Sequence, residues 1–144
     1  MKRHSSLASL SRDHHGALIL AQLLKKGAPV YKGLPEDVAG KANYALEFYR
    51  DKLVKHFKQE EQAVIKKIKG IDPRIDKLGD EIVEEHRTLT RLFTGIKDAD
   101  DLVLQLDSLG IALEQHIRKE ERQLFPLIQE CCSEELLASI ALAL

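Results

Sequence analysis

The chain reads HFKQEEQAVIKKI at residues 56–68 and HIRKEERQLFPLI at residues 116–128, so one thirteen-residue pattern occurs twice. The copies share a histidine, two consecutive glutamates and a final isoleucine, sixty positions apart. In each copy the histidine stands four residues before the first glutamate. Residues four apart lie one above the other on an α-helix, because a turn takes 3.6 residues. Each copy therefore predicts a helix that presents an imidazole and a carboxylate on one face.

The composition of the 144 residues favours one helical domain, which we place at residues 1–144. Tryptophan is absent, only 8 glycines and 4 prolines occur, and the formal net charge is −1. The near-neutral charge argues against nucleic acid or a membrane surface as a partner. No apolar stretch reaches the roughly 20 residues that cross a bilayer, and no secretory signal is recognisable. Two adjacent cysteines, Cys131 and Cys132, suggest a reduced, cytoplasmic protein in which they have a small apolar role.

Hydrophobic residues recur with helical spacing in four long segments that turn signals separate. The predicted helices cover about 6–26, 35–69 and 73–96, and a fourth begins near Asp100 and is kinked or nearly ended by Pro126. Asp72 is the predicted N-cap of the third helix, and Ser133 that of a short final helix. Short connecting loops make neighbours antiparallel. The predicted fold is all-α, an antiparallel up-down-up-down four-helix bundle with a short C-terminal helix.

Polar residues that can bind metals interrupt the apolar stripe of every long helix. They are His14 in the first helix, His56 and Glu60 in the second, His86 in the third, and His116 and Glu120 in the fourth. A lone buried histidine is more often structural than a ligand, and one His-x-x-x-Glu spacing arises easily by chance. Chance does not readily explain polar residues in the apolar stripes of all four helices. Two carboxylates buried together without cations would each cost several kcal/mol. We therefore predict that these six residues bind metal ions.

His14 and His15 cannot both face the core, because adjacent helical residues point about 100° apart. The apolar neighbours Leu7, Leu10, Ala17 and Ala21 place His14 on the stripe. His14 is accordingly the predicted ligand.

The acidic residues next to the predicted ligands are not themselves expected to be ligands. Asp13 and Glu85 each precede a ligand histidine and could orient one, although a solvent-exposed face is the commoner outcome. Glu61 and Glu121 are expected to be exposed or to contact a ligand. His4 is expected to lie in a frayed end without a role.

These residues resemble a hemerythrin-like (HHE cation-binding) domain over nearly the whole chain. That family has one histidine in helices one and three and His-x-x-x-Glu in helices two and four, and Leu-Phe-Pro at 124–126 is in its style. The resemblance implies a non-haem, carboxylate-bridged di-iron centre. In it His14 and His56 bind one iron, His86 and His116 bind the other, and Glu60 and Glu120 bridge both. Each iron would keep room for an exogenous ligand.

The order of the ligands separates this pattern from other metal sites. Ferritin-like bundles use Glu-x-x-His, whereas here histidine precedes glutamate by four positions. Structural zinc prefers four ligands, usually with cysteine. Imidazoles with bridging carboxylates suit iron, with manganese or zinc as substitutes according to availability. We therefore expect two iron ions as the cofactors.

Thr90 marks a departure from the oxygen-carrying hemerythrins, which have a second histidine at this position, one turn after the first in helix three. The carriers also use a longer His-to-Asp spacing in the last helix, where this chain has His116 and Glu120. Both irons would then keep an accessible position. This difference favours sensing or redox reactivity over reversible oxygen carriage.

Three functions remain open on the sequence alone. The leading interpretation is a di-iron protein that binds or senses dioxygen, nitric oxide, peroxide or iron itself. The alternatives are a di-iron oxidase or scavenger of peroxide or nitric oxide, and a metal-free helical interaction module. Since the sequence shows no catalytic base and no substrate pocket, a metal-binding or sensing protein is favoured over an enzyme. No protein partner can be identified.

Overall fold

The computed structural model describes residues 2–144, which form five α-helices and no β-strand. The helices are α1 (Ala8–Leu24), α2 (residues 38–68), α3 (Pro73–Thr94), α4 (residues 102–131) and α5 (Glu134–Ala143). A 3₁₀ turn at Ile96–Asp98 follows α3. The predicted all-α fold is confirmed. None of the described helices combines the length and the hydropathy that a bilayer-spanning segment requires.

Side-chain caps begin four of these helices. Asp37, Asp72, Asp101 and Ser133 each accept a hydrogen bond from a backbone amide in the first turn. These bonds satisfy amides that have no partner within the helix. The predicted caps Asp72 and Ser133 are confirmed. The predicted start of α2 at Pro35 is wrong, because Asp37 binds the amide of Gly40 and the helix begins at Val38.

The connection between α1 and α2 is not the short loop that the sequence suggested. It comprises residues 25–37. Gly27 and Gly33 both adopt positive φ angles, of 71° and 81°, within it. Glycine reaches this region without steric cost, so two left-handed turns lengthen the connection.

π-helical turns interrupt α2 and α4. They cover Tyr49–Leu53 and Glu60–Ile65 in α2 and Glu120–Leu124 in α4. Two of them begin at the glutamate of a His-x-x-x-Glu motif. A π turn widens the helix locally and is frequently found at functional sites. Pro126 lies just beyond the turn in α4, and the helix continues past it to Cys131.

Contacts between neighbouring helices run in opposite order along the chain. The pairs are Asp13 with His56 and Gly16 with Phe48 for α1 and α2; Glu61 with His86 and Ile65 with Gly79 for α2 and α3; Glu85 with His116 and Leu92 with Gln105 for α3 and α4; and Ser11 with Glu121 and Gln22 with Glu114 for α4 and α1. A Cβ at Gly110 would lie 2.6 Å from the carbonyl oxygen of Ala21, so glycine permits the close approach of α4 to α1.

Two clusters of buried apolar side chains lie on either side of a polar layer. One cluster includes Leu20, Phe93 and Leu109, and the other includes Leu10, Ile82 and Phe125. On each of the four long helices the predicted ligands fall between residues of the first cluster and residues of the second. The polar residues of four helices are therefore brought to one height in the core.

Candidate metal centre

All six predicted ligands lie in this polar layer, and each is at most 4% exposed. They are His14 from α1, His56 and Glu60 from α2, His86 from α3, and His116 and Glu120 from α4. His15, by contrast, is exposed to solvent. Of this pair, His14 is therefore the residue that lies in the core, and its role as a metal ligand stays a prediction.

The six side chains form two sets of four that share both glutamates. Site A consists of His14, His56, Glu60 and Glu120, and site B consists of Glu60, His86, His116 and Glu120. Within each site, one potential ligand atom from every residue lies within 4.8 Å of the others. The Nε2 atoms of His56 and His86 stand 3.2 Å and 3.1 Å from Glu60 Oε1. The Nε2 atoms of His14 and His56 are 3.1 Å apart, so the imidazoles direct these nitrogens at a common interior.

The outer nitrogen, Nδ1, of each of these histidines contacts a carboxylate. The pairs are His14 with Glu121 at 2.9 Å, His56 with Asp13 at 3.1 Å, His86 with Glu61 at 2.7 Å and His116 with Glu85 at 2.8 Å. An ionised carboxylate can only accept, so Nδ1–H is the donor. In the neutral ring, Nε2 then keeps its lone pair, and this is the form of imidazole that binds a metal.

Asp13 and Glu85 each contact the histidine of the next helix, which is the less favoured of the two outcomes expected for them. Asp13 is at the same time exposed to solvent, as the favoured outcome required, whereas Glu85 is half-buried. A signal was present in the chain, since acid–His occurs at 13–14 and again at 85–86, before each His-x-x-x-Glu-Glu motif. The two halves of the chain thus contribute equivalent sets of predicted ligands and of carboxylates that contact their histidines. Glu61 and Glu121 contact ligand histidines, which is one of the two outcomes expected for them.

The four orienting carboxylates differ in their exposure. The side chains of Glu121 and Glu85 are 28% and 29% exposed and also contact cations, Arg3 and Lys119 respectively. Asp13 and Glu61 are 54% and 40% exposed. The histidines that they contact, His56 and His86, therefore have the more open surroundings.

Two surface grooves flank α2 and reach one histidine of each site. The groove between α1 and α2 has a volume of about 360 Å³, and Asp13, Phe48 and His56 line it. The groove between α2 and α3 has a volume of about 480 Å³, and His86 and Thr90 line it. Thr90 thus lies beside site B. It occupies the position at which the oxygen carriers are expected to have a second histidine. The two grooves are separate, and one lies beside each site.

Several polar atoms at the centre lack hydrogen-bond partners among the described residues 2–144. They are Glu60 Oε2, His116 Nε2 and both carboxylate oxygens of Glu120. His116 Nε2 lies 2.6 Å from Glu120 Oε1, but this approach does not have the geometry of a hydrogen bond. Buried polar atoms without partners are costly. The donor set therefore fits metal cations, which would give these atoms partners.

The protonation of the metal-free cluster opposes metal binding. Burial lowers the pKa of His14, but hydrogen bonds to Glu121 and Glu60 outweigh this effect and raise the pKa to about 9. Burial acts to raise the pKa of Glu60, but His56, His14 and His86 hold it well below its usual range. For His116 burial dominates and lowers the pKa. The metal-free protein thus pairs an ionised Glu60 with a protonated His14.

We expect the apparent affinity for Fe²⁺, measured without oxygen, to rise with pH up to about 9, because the metal must displace the proton of His14. Each pH unit below this pKa costs up to about tenfold in affinity. The same proton stabilises the metal-free fold fully below the unfolded pKa of about 6.5, and this stability is lost as pH rises through about 9. Calorimetric titration in buffers of different ionisation enthalpy measures the proton release. An affinity independent of pH would contradict this expectation.

Two other sequence expectations concern residues outside the polar layer. His4 does not lie in a frayed end, since its ring contacts Ser6 Oγ at 2.7 Å and Glu134 Oε2 at 3.0 Å. Burial raises the pKa of the Cys132 thiol, which disfavours the reactive thiolate. The structure therefore agrees with a small apolar role for Cys132.

The chain matches one family model, described as the hemerythrin HHE cation binding domain, over residues 5–128. This range contains all six residues of sites A and B and the four carboxylates that contact their histidines. No curated protein and no solved structure matches the chain.

Proposed function

This chain belongs to the hemerythrin HHE cation-binding family, and we propose that it binds two iron ions and through them binds or senses dioxygen, nitric oxide or peroxide. The main support is the pair of buried sites that share Glu60 and Glu120. A carboxylate has two oxygens and can bridge two cations. His14 and His56 would hold the ion at site A, and His86 and His116 the ion at site B.

The proposal includes the architecture around the centre. An up-down-up-down four-helix bundle with a short C-terminal helix, forming one domain over residues 1–144, is supported by the reversed order of contacts between neighbouring helices. A cytoplasmic location is supported by Cys131 and Cys132, which are both free thiols.

Iron is the proposed metal because the donors are imidazoles and carboxylates without a thiolate. Manganese or zinc could substitute according to supply. Bound iron would supply redox chemistry and open coordination positions for a small ligand. The protein supplies the surroundings. Phe57 stacks on His86 with ring centres 4.2 Å apart, and Phe125 stacks on His14 at 5.7 Å, so aromatic rings limit water at both sites.

Small ligands would approach along the two grooves that flank α2. Since each groove reaches a different histidine, His56 or His86, ligand access to the two ions is separate. The Thr90 hydroxyl beside site B could donate a hydrogen bond to a ligand there. These short paths suit diatomic molecules and peroxide better than a larger organic substrate.

Metal analysis combined with a visible spectrum tests this proposal, using protein expressed in iron-replete medium and purified in air. We expect two irons per chain and a charge-transfer absorption that His56→Ala abolishes. His15→Ala is the matched control, because it removes an exposed imidazole next to His14 and should retain both irons. A folded protein that takes up no Fe²⁺ even without oxygen would contradict the proposal and favour the metal-free interaction module.

Turnover separates a sensor from an enzyme. The iron-loaded protein is mixed with excess reductant and with dioxygen, peroxide or nitric oxide in turn. A sensor is expected to react at most once per centre, whereas an oxidase or scavenger consumes many equivalents. Sustained consumption would therefore assign this chain to the enzymatic alternative.

A further inference from the structure

Residues 2–7, which we call the N-terminal segment, are attached to α4 beside site A. Arg3 Nη2 donates to the backbone carbonyl of Glu121 at 2.8 Å and lies 3.4 Å from its Oε1, while Arg3 Nη1 donates to Gln129 at 3.3 Å. The amide of His4 also donates to Gln129 Oε1, at 2.8 Å, and Gln129 Nε2 donates to the carbonyl of Lys2, at 3.0 Å. Residues 2–4 are thus held by Glu121 and Gln129 of α4 and, through His4, by Glu134 of α5, while Ser6 and Leu7 are buried in the core.

The acceptor for Arg3 is created by the π turn of α4. The amide of Phe125 donates to the carbonyl of Glu120, the residue before Glu121. The next residue, Pro126, has no N–H to donate. The carbonyl of Glu121 is therefore left without a donor from the helix, and a carbonyl in this position needs another partner. Arg3 is that partner.

Glu121 links Arg3 to site A. Its Oε2 accepts hydrogen bonds from His14 Nδ1 at 2.9 Å and from Ser11 Oγ at 2.8 Å. A second connection runs through Phe125, whose ring centre is 5.3 Å from the Arg3 guanidinium and 5.7 Å from the imidazole of His14. Arg3 therefore touches both groups that hold the His14 ring in place.

We propose that Arg3 is a positioning residue for site A, and that docking of the N-terminal segment is coupled to the metal in that site. This inference rests on the proposed function. An ion held by His14 would fix the position of the ring whose Nδ1–H donates to Glu121, and would thereby restrict this carboxylate to the place where Arg3 binds it. By linkage, docked Arg3 strengthens metal binding by the same factor by which metal strengthens docking.

Among residues 2–144, site B has no equivalent connection to a terminal segment. At site B the carboxylate that contacts a cation is Glu85. Its partner, Lys119, lies in the middle of the long helix α4 and not in a terminal segment. The coupling is accordingly specific to site A. Release of residues 2–5, which precede the buried Ser6 and Leu7, is a means by which a change at one iron would alter the surface of the protein.

The test compares Arg3→Gln with Arg3→Lys and with the matched control Lys2→Gln. Lys2 is exposed and contributes only its backbone carbonyl to the contacts described above, so its variant removes one charge from the same segment. We measure anaerobic Fe²⁺ binding and the hydrogen exchange of residues 4–11 with and without iron. Substituting a residue that contacts a metal-bound histidine typically costs 10–100-fold in affinity. Arg3 is one contact further away. We therefore expect Arg3→Gln to lower the binding affinity for one of the two ions by about threefold to tenfold.

Iron is expected to slow exchange of these amides in the wild type and in Lys2→Gln, and to have no such effect in Arg3→Gln. Arg3→Lys should be intermediate, because lysine keeps the charge but lacks the planar fork of donors. The coupling is overturned if Arg3→Gln binds iron as the wild type does. It is also overturned if this variant speeds hydrogen exchange of these amides equally with and without iron. In both cases the di-iron proposal stands. A wild type that binds no iron overturns both.

Discussion

Glu60→Ala is expected to remove both iron ions, whereas His14→Ala is expected to weaken chiefly the ion at site A. Glu60 belongs to both sites, while His14 belongs to one. Metal content measured per folded chain gives the number of ions that each variant retains. Removal of a residue that binds a single ion would release only that ion, whereas removal of a bridging residue would release both. The contrast between the two variants therefore tests the bridging role directly.

The same substitution is expected to destabilise the metal-free protein. Glu60 is the buried carboxylate that faces the Nε2 atoms of His56 and His86, at 3.2 Å and 3.1 Å, and it also faces His14 at 3.6 Å. Removing one partner of a buried charged pair typically costs about 3–5 kcal/mol. At about 2–4 °C per kcal/mol, the melting temperature should fall by roughly 10 °C.

Glu84→Ala is the matched control for Glu60→Ala, because it removes a glutamate that is exposed on α3. It should leave both the metal content and the melting temperature unchanged. Retention of two irons by Glu60→Ala would exclude the bridging role. If Glu60→Ala loses its metal but is as stable as the metal-free wild type, then water replaces the carboxylate among the histidines.

The fold was largely predictable because its determinants are local. The spacing of apolar residues gave the long helices, and the caps Asp72 and Ser133 gave two of their starts. The cap Asp37 was missed because Pro35, two residues earlier, is also a good helix start. The π turns could not be predicted, since a hydrogen bond to the fifth residue has no signature in composition or periodicity.

The six central residues of the candidate site could be found because polar residues in an apolar stripe are conspicuous. Asp13, Glu85 and Arg3 could not be found in the same way. Each lies at the border with solvent, where charged residues are expected whatever they contact. Their partners are on other helices, so only the packing of the chain shows that Asp13 and Glu85 contact imidazoles and that Arg3 contacts Glu121.

Glu120→Leu is expected to have opposite effects on metal binding and on the stability of the metal-free protein. Glu120 is fully buried, and neither of its carboxylate oxygens has a hydrogen-bond partner among the described residues. Leucine has a similar volume and needs no partner. Replacing a whole buried ion pair by apolar residues of similar size is often neutral or stabilising, by up to about 1–4 kcal/mol, and Glu120 has no hydrogen-bonded partner whose loss would offset this gain. The metal-free variant should melt several degrees higher than the metal-free wild type while binding neither iron.

Treatment with a chelator completes this comparison. The iron-loaded wild type should lose stability on chelation, by about 4 kcal/mol if free iron was at a thousandfold excess over its Kd. Glu120→Leu should not respond, and Glu60→Leu should be less stable than the metal-free wild type because Glu60 is paired with histidines. If Glu120→Leu is instead the less stable protein without metal, then His116, 2.6 Å away, satisfies this carboxylate. The increase predicted here would show that Glu120 is kept at a cost in stability, as expected of a residue whose partner is a metal ion.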